Sequence, residues 1–145
     1  MNKDILKQWE KNKNKLQKYF ETTNQEAYTS YGKILKAIIK YVLNETDDYW
    51  NTYDTKIKVI DDGEYQGTQI FIIHRNVYQP SLSDYLYTYV YYGSCSGCDT
   101  LQSIEYSADN YGEGLPTKKQ VKDYMLLALH LVQNLKTLKE QEENE

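Results

Sequence analysis

Apolar positions along the chain follow two periods, a helical one at each end and an alternating one in the middle. From residue 3 to residue 20, Ile5, Trp9, Leu16 and Phe20 recur at helical spacing among lysines. Leu6 and Tyr19 widen the stripe, which predicts a surface helix with one buried face. Thr22, Thr23 and Asn24 break the pattern. A second helix is expected from Gln25 to Leu43, lined by Tyr31, Leu35, Ile38, Ile39 and Val42. Its wider apolar face places it deeper in the core. The segment from Glu45 to Trp50 has no clean period and reads as a connection whose Trp50 plugs the core.

Alternation then takes over. Residues 56–60 form a first strand, Asp61-Asp62-Gly63 signals a turn, and Thr68 to Arg75 supplies a second strand, giving a hairpin. Ile70, Ile72 and His74 share one face of that second strand, and Phe71, Ile73 and Arg75 share the other. Both faces are apolar, so the strand is expected to be central. A polar loop containing Pro80 leads to a third strand, Asp84 to Tyr92. Here Tyr85, Tyr87, Tyr89 and Tyr91 point one way, while Leu86, Thr88, Val90 and Tyr92 point the other and make the better core face. Gly93 to Cys98 is a tight turn, and Asp99-Thr100-Leu101-Gln102 has the capping-box form that opens a short helix. After a loop from Asp109 to Pro116, Thr117 and Gln120 make a second capping box. Val121, Met125, Ala128, Val132 and Leu135 then define a long final helix. Leu126, Leu127, Leu129 and Leu131 make that helix apolar nearly all round, so it is either sandwiched inside the domain or shared with a second copy in a homodimer.

The expected fold is α+β in a single domain spanning residues 1–145: two N-terminal helices, a three-stranded mainly antiparallel sheet, a short helix after the Cys turn and a long C-terminal helix packed across the sheet. Residues 139–145 are a charged tail expected to fray. A chain of this length buries a core without needing a metal or a disulfide.

Composition removes several function classes. The net charge is −4 and Arg75 is the sole arginine, so the bidentate guanidinium contacts of base and phosphate readers are nearly absent and nucleic-acid binding is disfavoured. Neither a signal-like apolar stretch nor a window of about 18 apolar residues occurs, which leads to the expectation of a cytoplasmic protein off the membrane. In such a compartment two cysteines are thiols, metal ligands or redox partners before they are a structural disulfide. The 16 tyrosines accompany many Lys, Asn and Ile, a bias that AT-rich coding produces without selection for function.

Chemistry concentrates in Cys95-Ser96-Gly97-Cys98. Zinc is the cofactor this pair could take, but a zinc site needs about four ligands and the turn supplies two. The others would come from His74, His130, Asp99 or the same turn of a second subunit. His130 falls beside Asp123 and Gln133 on the helical wheel and is the poorer choice; His74, at a strand end, is the better one. A dithiol reading rests on Cys98 preceding a helix, where the dipole lowers a thiol pKa. Against it stands the missing thioredoxin framework of flanking strands and a facing cis-proline. The plainer reading is a tight turn made possible by Gly93, Ser94, Ser96 and Gly97.

The tyrosine row Tyr85, Tyr87, Tyr89 and Tyr91 is the second candidate. It offers large rigid contact area with polar tips to a partner, or else the first helix covers it. Arg75 reads as a surface charge, and Asp61 and Asp62 as turn residues. No P-loop, dinucleotide fingerprint, zinc-protease motif or nucleophile elbow occurs, so the sequence leans away from an enzyme.

At Glu64-Tyr65-Gln66-Gly67-Thr68, at Tyr91 to Gln102 with its GSCSGCD run, and at Gly114-Leu115-Pro116-Thr117, the chain resembles small proteins of bacteriophages and prophages of Gram-positive bacteria. That group has no established activity and brings no catalytic residue. The resemblance implies a context in which small phage proteins bind and inhibit host proteins, and hence a non-catalytic interaction protein, a modulator of a host defence factor. The alternative is a zinc-binding or thiol-active protein that works through Cys95 and Cys98.

Overall fold

The computed structural model describes residues 3–26, 29–93 and 99–138. Helix α1 (Lys3–Thr22) buries Ile5, Trp9, Asn12, Leu16 and Phe20 along one face. Asn12 occupies the middle of this stripe because the next helix leaves carbonyls there. Its Nδ2 donates to Val42 O (2.9 Å) and to Glu45 O (3.3 Å), groups that a helix end leaves without partners of its own.

The second helix begins later than its apolar pattern suggests. Gln25 instead forms an isolated antiparallel bridge with Gly114, N to O in both directions at 2.8 and 2.9 Å. Helix α2 (Tyr31–Ile38) starts where Ser30 caps it, accepting from Lys33 N. It continues into a π-helical turn, Ile39–Leu43, closed by Asn44 N donating to Ile39 O (2.8 Å). Trp50 does not plug the core. It sits with Tyr49 on a 3₁₀ turn capped by Asp48 and is 64% exposed.

The sheet has four strands, one more than expected: β1 (Lys58–Asp61), β2 (Gly67–His74), β3 (Tyr85–Tyr92) and, after the long helix, β4 (Lys136–Thr137). Their order is β1-β2-β3-β4, antiparallel throughout, with β2 central as its two apolar faces foretold. Two residues carry no readable alternation, so β4 is defined by its partners alone: Thr137 lies opposite Leu86 and Lys136 opposite Tyr87.

Between β3 and β4 come α3 (Thr100–Glu105) and α4 (Lys118–Gln133), the latter with the Thr117/Gln120 capping box in place. Helix α4 lies against α1, α2, α3 and β3. Thr88 of β3, fully buried, donates its hydroxyl to Leu131 O (3.0 Å), and the Phe20 and Tyr124 rings stack with centroids 5.0 Å apart. Of the two uses expected for the all-round apolar α4, packing inside the chain is the one that absorbs Leu127, Ala128, Leu131 and Val132; Leu126 stays exposed. The helices share one face of the sheet with Phe71, Ile73, Leu86 and Thr88. Among the described residues no helix is long and apolar enough to cross a membrane.

Replacing Asn12 with Ala should lower stability by about 2 kcal/mol, because the buried bond to Val42 O and the half-buried one to Glu45 O lose their donor. Urea unfolding should show a lower midpoint with an unchanged slope.

Candidate functional site

Strand pleating decides what the uncovered face carries. Residues directly opposite one another share a face, so the register aligns Ile60, Ile70 and Tyr89 in one row and Lys58, Ile72, Tyr87 and Lys136 in the next. Thr68 with Tyr91, and His74 with Tyr85, complete the set. All four tyrosines therefore stand together on the face opposite the helices. Tyr85 and Tyr87 are half-buried, whereas Tyr89 is 38% and Tyr91 71% exposed, their rings meeting edge to face at 5.7 Å. Ile60, at the edge of the same face, is 44% exposed. Helix α1, the expected cover for this row, packs on α4 and the π turn instead. The sequence pattern identifies the tyrosines and Ile70 and Ile72; Ile60 and Lys136 join them only through register.

Cys95 and Cys98, with the tight turn expected there, lie outside the described residues, which resume on either side at Gly93 and Asp99. Asp99, buried, joins the two sides. Its Oδ1 accepts from the Tyr31 hydroxyl (2.6 Å), Leu101 N (3.0 Å) and Gln102 N (3.2 Å), and its Oδ2 accepts from Gly93 N (3.1 Å). Gln102 does not complete a capping box; its Nε2 donates to Gly93 O (2.9 Å). Asp99 is thus spent on structure, clamping the last residue of β3's exit to α3 and to α2. The Tyr31 hydroxyl is held far above its usual pKa, first by burial and then by its bond to Asp99.

His74 is a poor third ligand for the cysteines. It lies opposite Tyr85, at the start of β3, while Gly93 follows its end. Seven residue steps separate those ends, about 24 Å at the usual strand rise. Its ring instead lies 5.9 Å from that of Tyr85, with Nδ1 3.0 Å from Arg75 O. Among the described residues no group of three or more His, Asp and Glu side chains is placed to hold a metal ion.

Two clefts flank the Tyr31–Asp99 bond. The larger, about 870 Å³, lies between β3, α3 and α4 and includes Tyr91, Asp99, Asp123, Leu127 and His130. Asp123 is ion-paired with Lys119 there at 2.8 Å, and no described hydroxyl bonds to His130 to make a nucleophile and base pair. No family model, curated protein or solved structure matches this chain. The smaller cleft, about 450 Å³, is lined by Tyr31, Gln69, Tyr92, Gln102, Glu105 and Tyr106. Burial, and after it the charge of Asp99, raises the Glu105 pKa above the usual carboxylate range. Tyr124, fully buried beside it, is pushed up to about 12 by burial and by the Glu105 charge.

A carboxyl whose folded pKa is raised stabilises the fold at pH below its unfolded value and loses that contribution as pH rises through the folded value. Glu105→Gln should therefore raise the melting temperature at neutral pH. The gain should shrink as pH falls toward about 4.3, the unperturbed glutamate value. Thermal melts of both proteins across that pH range check it.

Proposed function

We propose that this protein works without catalysis, by binding another protein through the outer face of its sheet. The observation that carries the reading is the open row of Tyr89 and Tyr91 beside Ile60, Ile70 and Ile72 on a face that no described helix covers. Tyrosine in such a setting gives rigid contact area with few rotors to freeze, and a contiguous apolar patch on an otherwise charged domain is a feature of interaction sites. Lys58 and Lys136 close the two ends of one row on that face. The complementary partner surface has an apolar centre and carboxylates at its edges. Resemblance to small phage and prophage proteins makes a host protein, one of its defence factors, the partner of choice.

In crosslinking and affinity capture from host lysate, Tyr89→Ala with Tyr91→Ala should weaken recovery of the bound protein. Its Kd, once the protein is purified, should rise at least about tenfold, the usual effect of removing central aromatic anchors. The melting temperature should stay near that of the parent, because both side chains are exposed. Cys95→Ser with Cys98→Ser should bind as before. Retained binding in the tyrosine variant, or loss of binding together with zinc in the cysteine variant, would overturn the reading in favour of the Cys turn.

A further inference from the structure

The edge of the sheet at β1 is built differently from the edge at β4. All four residues of β1 are exposed, Val59 at 48% and Ile60 at 44%, and no described strand pairs with its outer side. Asp62 N donates to Thr68 O (3.2 Å), so even-numbered positions of this strand turn their backbone groups toward β2. Val59 and Asp61 then present N–H and C=O groups to the open side. A free edge carrying two β-branched residues is a template for another strand.

We infer that the strand it accepts is β1 of a second copy of this chain, paired antiparallel about a two-fold axis through Ile60. A two-fold perpendicular to the sheet keeps the outer faces of both copies on one side, so only positions of the same parity can stand opposite each other. That leaves registers centred on Val59 or on Ile60. Centred on Val59, Lys58 meets the partner's Ile60 and its charge has no counterpart. Centred on Ile60, Lys58 comes opposite the partner's Asp62 on both sides of the axis, the residue just past β1, whose Oδ1 accepts from Thr68 N (2.7 Å) and whose Oδ2 would take the lysine, and Val59 and Asp61 exchange the outward backbone bonds. Lysine on an edge strand ordinarily blocks pairing; in this register it becomes a cross-strand ion pair. The charges select both the occupant and the alignment.

The row Ile60, Ile70, Tyr89 would run through the axis into the partner's Ile60, Ile70 and Tyr89. Two four-stranded sheets become one of eight, and the two tyrosine faces become one continuous surface that pairing leaves uncovered. This dimer does not depend on the protein-binding role of those tyrosines, and it makes no use of α4.

Sedimentation equilibrium of the purified protein over a concentration series tests it, since no other component is needed. Reversible dimerisation is expected. Ile60→Lys, which sets like charges on the axis, should raise the dimer Kd by roughly tenfold or more, and Lys58→Glu should do so less strongly. Adding Asp62→Lys to Lys58→Glu should restore dimerisation, which no loss of folding could do. In a Cys95→Ser, Cys98→Ser background, oxidation should link Ile60→Cys into a dimer and leave Tyr65→Cys monomeric, because only the axial pair brings two Cβ atoms within disulfide reach. A protein that stays monomeric throughout overturns the inference. So does a dimer that survives Ile60→Lys and dissociates on Leu126→Lys.

Discussion

Everything distinctive about this molecule depends on one constraint: its helices pack on one face of the sheet, and strand pleating sends alternate side chains to opposite sides. Phe71, Ile73, Leu86 and Thr88 are drawn into the core by that packing. The same geometry obliges Ile70, Ile72, Tyr87, Tyr89 and Tyr91 to face outward. A one-residue slip in β3 would exchange the two sets and leave a tyrosine face against α4. The Thr88 hydroxyl, bonded to Leu131 O, secures that register from the inside.

Asp99 plays the corresponding part at the other end of β3. One carboxylate ties Gly93, at the exit of the strand, to α3 and to Tyr31 of α2. That end of β3 is far from His74, and the oxygens of Asp99 are occupied. Asp99 is therefore committed to hydrogen bonds, and His74 to the far end of β3. The two acidic groups Asp99 and Glu105 form a buried polar layer lining the smaller cleft.

Much of the fold was legible from periodicity wherever local pattern and tertiary demand agree. Helix α4 with its Thr117 cap, the hairpin of β1 and β2, and the face assignment in β3 all follow from spacing. Four features did not, three of them because a distant partner decides them. Gln25 is drawn out of the second helix by Gly114; Asn12 holds a core position because Val42 and Glu45 need a donor. The two residues of β4 are strand only because β3 offers an edge. Trp50 looked like a core residue from its size, yet its capped turn holds it outside. Of the site, the four tyrosines were readable from alternation, while the rows that join them to Ile60 and Lys136 required the register.

A sheet that the described helices cover on one face only thus accounts for the fold, for the exposed aromatic row and for the accessible strand edge. The central claim is that this face is open in the isolated protein, and hydroxyl-radical footprinting resolved by tyrosine tests it most directly. Pairing through β1 would leave the face uncovered, so the test holds for monomer and dimer alike. Rapid modification of Tyr89 and Tyr91, with Tyr31 and Tyr124 protected, is the predicted result. Tyr89 and Tyr91 as protected as Tyr124 would contradict the account.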